Sequence, residues 1–186
     1  MKIVFYGNRQ AGLIAFLALK AMRRGFHADI VEVWTDTDEF VKWVAPHHDG
    51  PVKLFSVHNY MAAVEPPEAD LLVCVHGRRI VPKQVLDAMD CVNLHPYLKD
   101  FPGASPVELA IASALPYASV SAHYMTTVLD MGDVITTLTT DRDRLLMKPV
   151  EVYNLLYPLY AQVVVDAVEK VQLRHETSAA LVGSNP

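Results

Sequence analysis

The chain has 186 residues, of which 52% are hydrophobic and 20% charged, with a formal net charge of -5. That length suits a single domain over residues 1–186 with a full core, and that balance excludes a disordered chain. Its acidity leaves no bulk attraction for nucleic acid or an anionic membrane.

The first predicted strand is "KIVFY", a short apolar run that ends at Gly7. No basic segment with an apolar core and a small-residue cleavage site precedes it, so no leader is expected. "AGLIAFLALKAMRRG" has helical spacing and closes at Gly25. "ADIVEVWT" reads as the second strand, and "DTDEFVKWVA" as a helix with Asp and Thr caps. "VKLFSV" is a third strand and "NYMAAVEP" a short helix that ends at a proline. "ADLLVCVH" is continuously apolar, as a central parallel strand is. "VPKQVLDAM" is helical and "CVNLHP" is a fifth strand. This rhythm predicts an α/β fold, a Rossmann-like doubly wound sheet that is mostly parallel.

The pattern then changes. "SPVELAIASA" reads as a helix, and "YASVSAHYMTT" and "DVITTLTTD" as antiparallel edge strands. "VEVYNLLYPLYAQVVVDAVEKVQL" is a long amphipathic helix in which Pro158 predicts a kink or a restart. The tail from about residue 174 lacks a pattern and is expected to fray. Cys74 and Cys91 lie in apolar runs without metal or redox spacing and are read as buried core residues of a reducing compartment. No apolar run reaches the about 18 residues of a membrane span, so the reading is a soluble, cytoplasmic chain.

Four stretches carry candidate chemistry. In "GNRQAG", Gly7, Asn8 and Arg9 sit at the carboxyl end of the first strand, where open α/β sheets bind ligands. Either this is a plain strand-to-helix turn or Arg9 meets an anionic group. "PHHDG" pairs two histidines without a third ligand at useful spacing, so no metal is expected. His27, His58 and His175 read as surface or packing residues. "HGRRIVP" follows the central strand, as a solvated basic turn or as a cleft wall. In "CVNLHP", Asn93 and His95 share one face of a strand end, and Asp130 in "VLDMGD" lies in a loop that can return to that edge.

Together "NLHPYLKDFPGASPVELAI" and "SVSAHYMTTVLDMGDVI" resemble the folate-dependent formyltransferases, the transformylases of glycinamide ribonucleotide, methionyl-tRNA and amino sugars. The pattern is matched at Asn93, His95, Gly103, His123, Leu129, Asp130 and Gly132. "DLLVCVHGRRIVPKQVLDAM" is similar to the folate-loop segment, and "YPL" to the closing helix. The resemblance implies N10-formyltetrahydrofolate as formyl donor and a primary amine as acceptor. Asn93 and His95 would stabilise the oxyanion, with Asp130 orienting His95 and taking part in proton removal. Arg78, Arg79, Ile80 and Val81, with Thr126 and Leu129, would hold the pterin through main-chain groups. Gly7, Asn8, Arg9, Gly103 and His123 would meet the acceptor.

This chain also departs from those relatives. "YLKD" replaces the usual Ser-Leu-Leu-Pro, and Tyr117-Ala118 replaces a common glycine. Both changes are expected near the acceptor pocket. "GNRQA" replaces a glycine-rich phosphate loop, and Asn154 stands where purine enzymes have a glutamate one turn before Tyr157. The acidic chain is expected to lack the basic tRNA-binding domain of the methionyl-tRNA enzymes. The preferred acceptor is therefore a nucleotide-linked amino sugar, followed by glycinamide ribonucleotide, or water in a hydrolase ("AHYMTTVLD" resembles the formyltetrahydrofolate deformylases). The partner is a small-molecule amine, with a homodimer left open.

Overall fold

The computed structural model describes residues 1–22, 28–55 and 61–183. The chain alternates β1 (Lys2–Gly7), α1 (Arg9–Ala21), β2 (Asp29–Thr35), α2 (Asp38–Val44), β3 (Val52–Leu54), β4 (Leu71–Val75), α3 (Lys83–Ala88) and β5 (Asp90–Pro96). It then adds α4 (Pro106–Ala112), β6 (Tyr117–Tyr124), β7 (Val134–Asp141) and α5 (Pro149–Gly183). The predicted closure at Gly25, His27, His58, and parts of "VKLFSV" and "NYMAAVEP" lie outside the described residues; Met61–Ala63 form one 3-10 turn.

One seven-stranded sheet runs in the order β3-β2-β1-β4-β5-β6-β7. The pairs from β3 through to β5 are parallel, and β5–β6 and β6–β7 are antiparallel, as expected. Strand alternation separates two cores. Ile3, Phe5, Leu71, Val73, Val92 and Leu94 face the one that contains Phe16 of α1 and Leu156, Tyr160 and Val163 of α5. Val4, Tyr6, Leu72, Cys74 and Cys91 face a smaller one with Trp34, Phe55 and Val85 of α3. Both cysteines are buried, and desolvation pushes each thiol up to about 12.

The chain leaves β1 toward β2 and β3 and returns on the other side as β4. This reversal opens a crevice above the carboxyl ends of β1 and β4. Local chemistry sets the element ends there. Thr37 caps α2 by accepting from the Phe40 amide at 3.3 Å, with Asp38 and Glu39 in the first turn. Pro106 starts α4 after Ser105, which has φ 56°.

The helix α5 includes much of the tail that was expected to fray. It runs as one helix through Pro158 and on to Gly183. Two contacts dock its extension onto the sheet: His175 Nε2 lies 2.8 Å from Asp90 Oδ2, and the Arg174 guanidinium lies 5.2 Å from the Tyr124 ring centroid. No helix among the described residues is long and apolar enough to cross a membrane.

Candidate active site

A cleft of about 590 Å³ opens above the carboxyl ends of β4 and β5. Asn93 and His95 reach its floor from β5, both on the face of the smaller core. Asp130 arrives from the β6–β7 loop, and the register brings His123 of β6 directly opposite Asn93.

Asp130 is the hub of the floor. Its Oδ2 accepts from the Gly103 amide at 2.8 Å and lies 3.4 Å from His95 Nε2. Its Oδ1 is 3.4 Å from Asn93 Nδ2 and 3.5 Å from His123 Nε2. His123, with His95 and the Gly103 amide, holds the Asp130 carboxyl below its ordinary range against the opposing cost of desolvation.

The hydrogen bonds fix the tautomers. His95 Nε2 is 3.0 Å from the Gly103 carbonyl, so Nε2 carries a hydrogen; its Nδ1 is buried without a partner among the described residues. His123 donates from Nδ1 to the Tyr124 carbonyl at 3.0 Å. In its neutral form His123 therefore accepts from Asn93 Nδ2 at 3.3 Å, and in its protonated form it turns the same Nε2 hydrogen toward Asp130. The two contacts share one nitrogen and alternate.

Two glycines make this loop geometry possible. A side chain at Gly132 would put its Cβ 1.7 Å from the Tyr124 carbonyl oxygen, so only glycine lets the Asp130 loop pass β6. Gly103 has φ 90°. Arg9, His76, Ser105 and Asp130 also line the cleft with positive φ, and such backbone persists only where its surroundings over-determine it.

The Arg78–Val81 wall is held from behind. The Tyr6 hydroxyl donates to Asp36 Oδ2 at 2.7 Å and accepts from the amides of Arg78 and Arg79 at 2.9 and 2.8 Å. Arg79 Nε also lies 3.5 Å from Asp36 Oδ1. These two amides are thus engaged internally, a correction to the expectation that they face a ligand. Ile80, Val81 and Leu129 line the cleft beside Cys74 and Met125, and their main-chain groups make no hydrogen bond among the described residues. Apolar walls with open amide groups fit a flat heteroaromatic ring. Thr126 lines the same region, and its hydroxyl donates to the Val128 carbonyl of its own loop at 2.8 Å.

Three further expectations change. Gly7 and Asn8 are buried below the cleft. The Asn8 side chain is spent on Asp36, the His76 carbonyl, the Thr35 hydroxyl and the Asp36 amide at 2.8 to 3.0 Å; only Arg9 of that turn enters the cleft. His123 is 1% exposed, and both its nitrogens face protein groups, so it acts on Asp130 and Asn93 rather than on a ligand. The "YLKD" and Tyr117 departures lie together and away from the cleft lining: the Tyr117 hydroxyl donates to Asp100 at 2.6 Å, and Tyr97 is buried in the larger core.

Two aromatic cleft residues have no individual role in the sequence reading, His76 (the first residue of "HGRRIVP") and Tyr153. His76 sits at the end of β4 with its Nε2 3.1 Å from the Tyr160 hydroxyl. Burial, with Arg9 and His95 nearby, lowers it to about 4, so it is neutral at physiological pH. Tyr153 lines the cleft where Asn154 was expected to matter, whereas Asn154 is exposed. The spacing Tyr153, Tyr157, Tyr160 marks the stripe of α5 that meets the cleft, and was the available signal.

Residues 1–143 match the formyl transferase family. The methionyl-tRNA formyltransferase of Fusobacterium nucleatum is 26% identical over 193 aligned positions, covering 92% of this chain and 59% of that protein. That of Campylobacter jejuni subsp. doylei is 27% identical over 185, covering 90% and 59%. The chain thus spans 59% of the length of these curated relatives. The phosphoribosylglycinamide formyltransferase of Bacillus halodurans superposes with a TM-score of 0.76 at 19% identity, covering 92% of this chain and 95% of that one. The formyltetrahydrofolate deformylase of Burkholderia mallei does so with 0.70 at 19%, covering 90% and 63%. At these identities the structural likeness is one of fold.

Proposed function

The chain belongs to the formyl transferase family, and from that premise we propose that it moves a formyl group from N10-formyltetrahydrofolate to the primary amine of a small molecule. The observation that carries this reading is the convergence of Asn93, His95 and Asp130 on one cleft floor, between a wall with open main-chain groups and the Arg9 side.

The donor supplies a formyl carbon whose oxygen becomes negative when the amine adds to it. Asn93 Nδ2–H and His95 Nε2–H are the two donors that meet that oxygen. Their present bonds to Asp130, His123 and Gly103 run from 3.0 to 3.4 Å, long enough to be exchanged for a stronger one to an oxyanion. Asp130 keeps His95 oriented and, being ionised at neutral pH, accepts the proton that the amine loses, directly or through water. Its depressed pKa makes it a weak base, so the proton passes on readily. Over the whole step the formyl C–N10 bond breaks, a formyl C–N bond to the acceptor forms, and one proton moves from the acceptor to N10.

The preferred acceptor is an amino sugar carried on a nucleotide. The Asn8 side chain is spent on Asp36, His76 and Thr35, and "GNRQA" lacks the glycine-rich phosphate loop of the purine enzymes, which favours an acceptor other than the purine precursor. The test is formyl transfer from N10-formyltetrahydrofolate across nucleotide-linked amino sugars, glycinamide ribonucleotide and no added amine. Transfer to a sugar amine supports the reading. Transfer confined to glycinamide ribonucleotide replaces the acceptor, formate release without amine replaces transfer by hydrolysis, and no reaction of the folate refutes it.

A further inference from the structure

His76 follows β4 one position beyond the last register pair, Val75 with Leu94, and so stands next to His95 across the two strands. Strand alternation alone would put its ring beside that of His95, on the face that Cys74 and Asn93 share. The left-handed backbone at His76, with φ 58°, turns the ring toward α5 instead. There it is tilted against Tyr153 at 5.9 Å and against Tyr160 at 5.5 Å, centroid to centroid. His76 still lines the cleft.

Tyr160 decides which imidazole nitrogen carries the hydrogen. The phenol is fully buried, and burial keeps it protonated. Its hydroxyl has one partner among the described residues, His76 Nε2 at 3.1 Å. A buried O–H without an acceptor is costly, so this hydrogen goes to Nε2. The ring is neutral at physiological pH, because burial, with Arg9 and His95 nearby, lowers it to about 4. Its own hydrogen is therefore on Nδ1. That nitrogen has no protein partner among the described residues and is not sealed from the cleft. The chain thus presents a fixed, neutral N–H donor beside His95 that the oxyanion pair and Asp130 do not use.

We propose that His76 selects the acceptor: held by Tyr160 as the Nδ1–H tautomer, it donates a hydrogen bond to a hydroxyl on the carbon next to the reacting amine. The amine must keep its lone pair for the formyl carbon, so an N–H aimed at that nitrogen would oppose the reaction. A neighbouring oxygen takes the bond without that conflict, and a sugar supplies one as a hydroxyl. A site that spends a donor on a substrate hydroxyl discriminates against the analogue without it, because the donor is then left unpaired. The left-handed backbone at His76 fits this role, since such a conformation persists only where its surroundings hold it. The inference rests on the formyl-transfer reading for the reaction, but the tautomer does not depend on it.

The first measurement is an NMR spectrum of the imidazole nitrogens in the free protein, with the His76 signals identified by their loss in His76→Ala. It should show His76 protonated at Nδ1 and bare at Nε2. Tyr160→Phe, which removes only the hydroxyl, should let both tautomers appear. The second is formyl transfer from N10-formyltetrahydrofolate to uridine diphosphate glucosamine, to its 3-deoxy analogue and to glycinamide ribonucleotide. We expect kcat/KM to be at least about tenfold higher for the sugar that keeps the hydroxyl. His76→Ala should abolish that preference. His76→Asn should keep most of it, since the amide offers an N–H in place of Nδ1 and asparagine accepts the left-handed backbone. Tyr160→Phe should lower it. A His76 hydrogen found on Nε2 overturns the proposal, as do equal rates with the two sugars or a preference that survives His76→Ala. Transfer to glycinamide ribonucleotide but to neither sugar also overturns it and leaves the formyl-transfer reading standing. No transfer to any amine refutes that reading and the selection with it, while the spectrum still reports the tautomer.

Discussion

Asp130 lies within 3.5 Å of four groups, three on β5 and β6 and one at Gly103, and of these His123, His95 and the Gly103 amide make its negative charge easier to keep. Asp130→Asn leaves the shape and removes the charge, so transfer should fall by about 100-fold or more in single-turnover rate while folate binding persists. The same carboxyl gives a pH signature. Its folded pKa lies below its ordinary 3.8, so the stabilisation is complete above the unfolded value and is lost as pH falls through the folded one. Acid titration of unfolding should therefore show less loss of stability below about pH 4 in Asp130→Asn than in the native chain, and an identical slope in the two proteins would refute the assignment. Gly132 acts one step further out. Gly132→Ala forces a Cβ into the Tyr124 carbonyl, and we expect a loss of about 1–3 kcal/mol in denaturant unfolding together with a lower transfer rate.

Among the elements, the β4–α3 loop shows how a buried hydroxyl shapes a cleft wall. Tyr6 stands on β1, yet it holds the amides of Arg78 and Arg79 on another element. Tyr6→Phe orphans the Arg79 amide, while the Arg78 amide keeps its 2.9 Å bond to Asp36 Oδ2, and should cost about 1–3 kcal/mol, with weaker folate binding as the wall relaxes. Retained folate affinity in that variant would separate the wall from the donor site. The same elements explain what sequence could and could not reveal. Strands, their order of appearance and the pair Asn93 and His95 were legible because buried strands are apolar throughout and period two fixes the shared face. The docked end of α5 was not, because its anchors Asp90 and Tyr124 are distant in sequence and the segment has little apolar pattern of its own. Asn8 and His123 looked like ligand contacts because nothing local tells a side chain that meets a substrate from one that meets another loop. "YLKD" and Tyr117 looked like acceptor changes for the same reason, yet they satisfy each other across the Tyr117–Asp100 bond.

The whole molecule divides its labour across the sheet. The smaller core carries Tyr6, Cys74 and Met125 up to the wall proposed for the folate ring, and the larger core carries Tyr160 up to His76 beside Arg9 and Tyr153. Asn93, His95 and Asp130 lie between the two sides, at the topological reversal where an open sheet leaves room for ligands. This arrangement predicts separable defects: changes on the Arg78–Val81 side alter the donor, changes at Arg9 alter the acceptor, and changes on the floor alter the rate with both still bound. The most direct test is single-turnover formyl transfer from N10-formyltetrahydrofolate to a sugar amine, comparing the native chain with His95→Ala at saturating folate. The expected result is a rate at least about 100-fold lower in the variant with unchanged folate affinity. A variant that transfers the formyl group at close to the native rate would contradict the assignment of this cleft floor as the site of reaction.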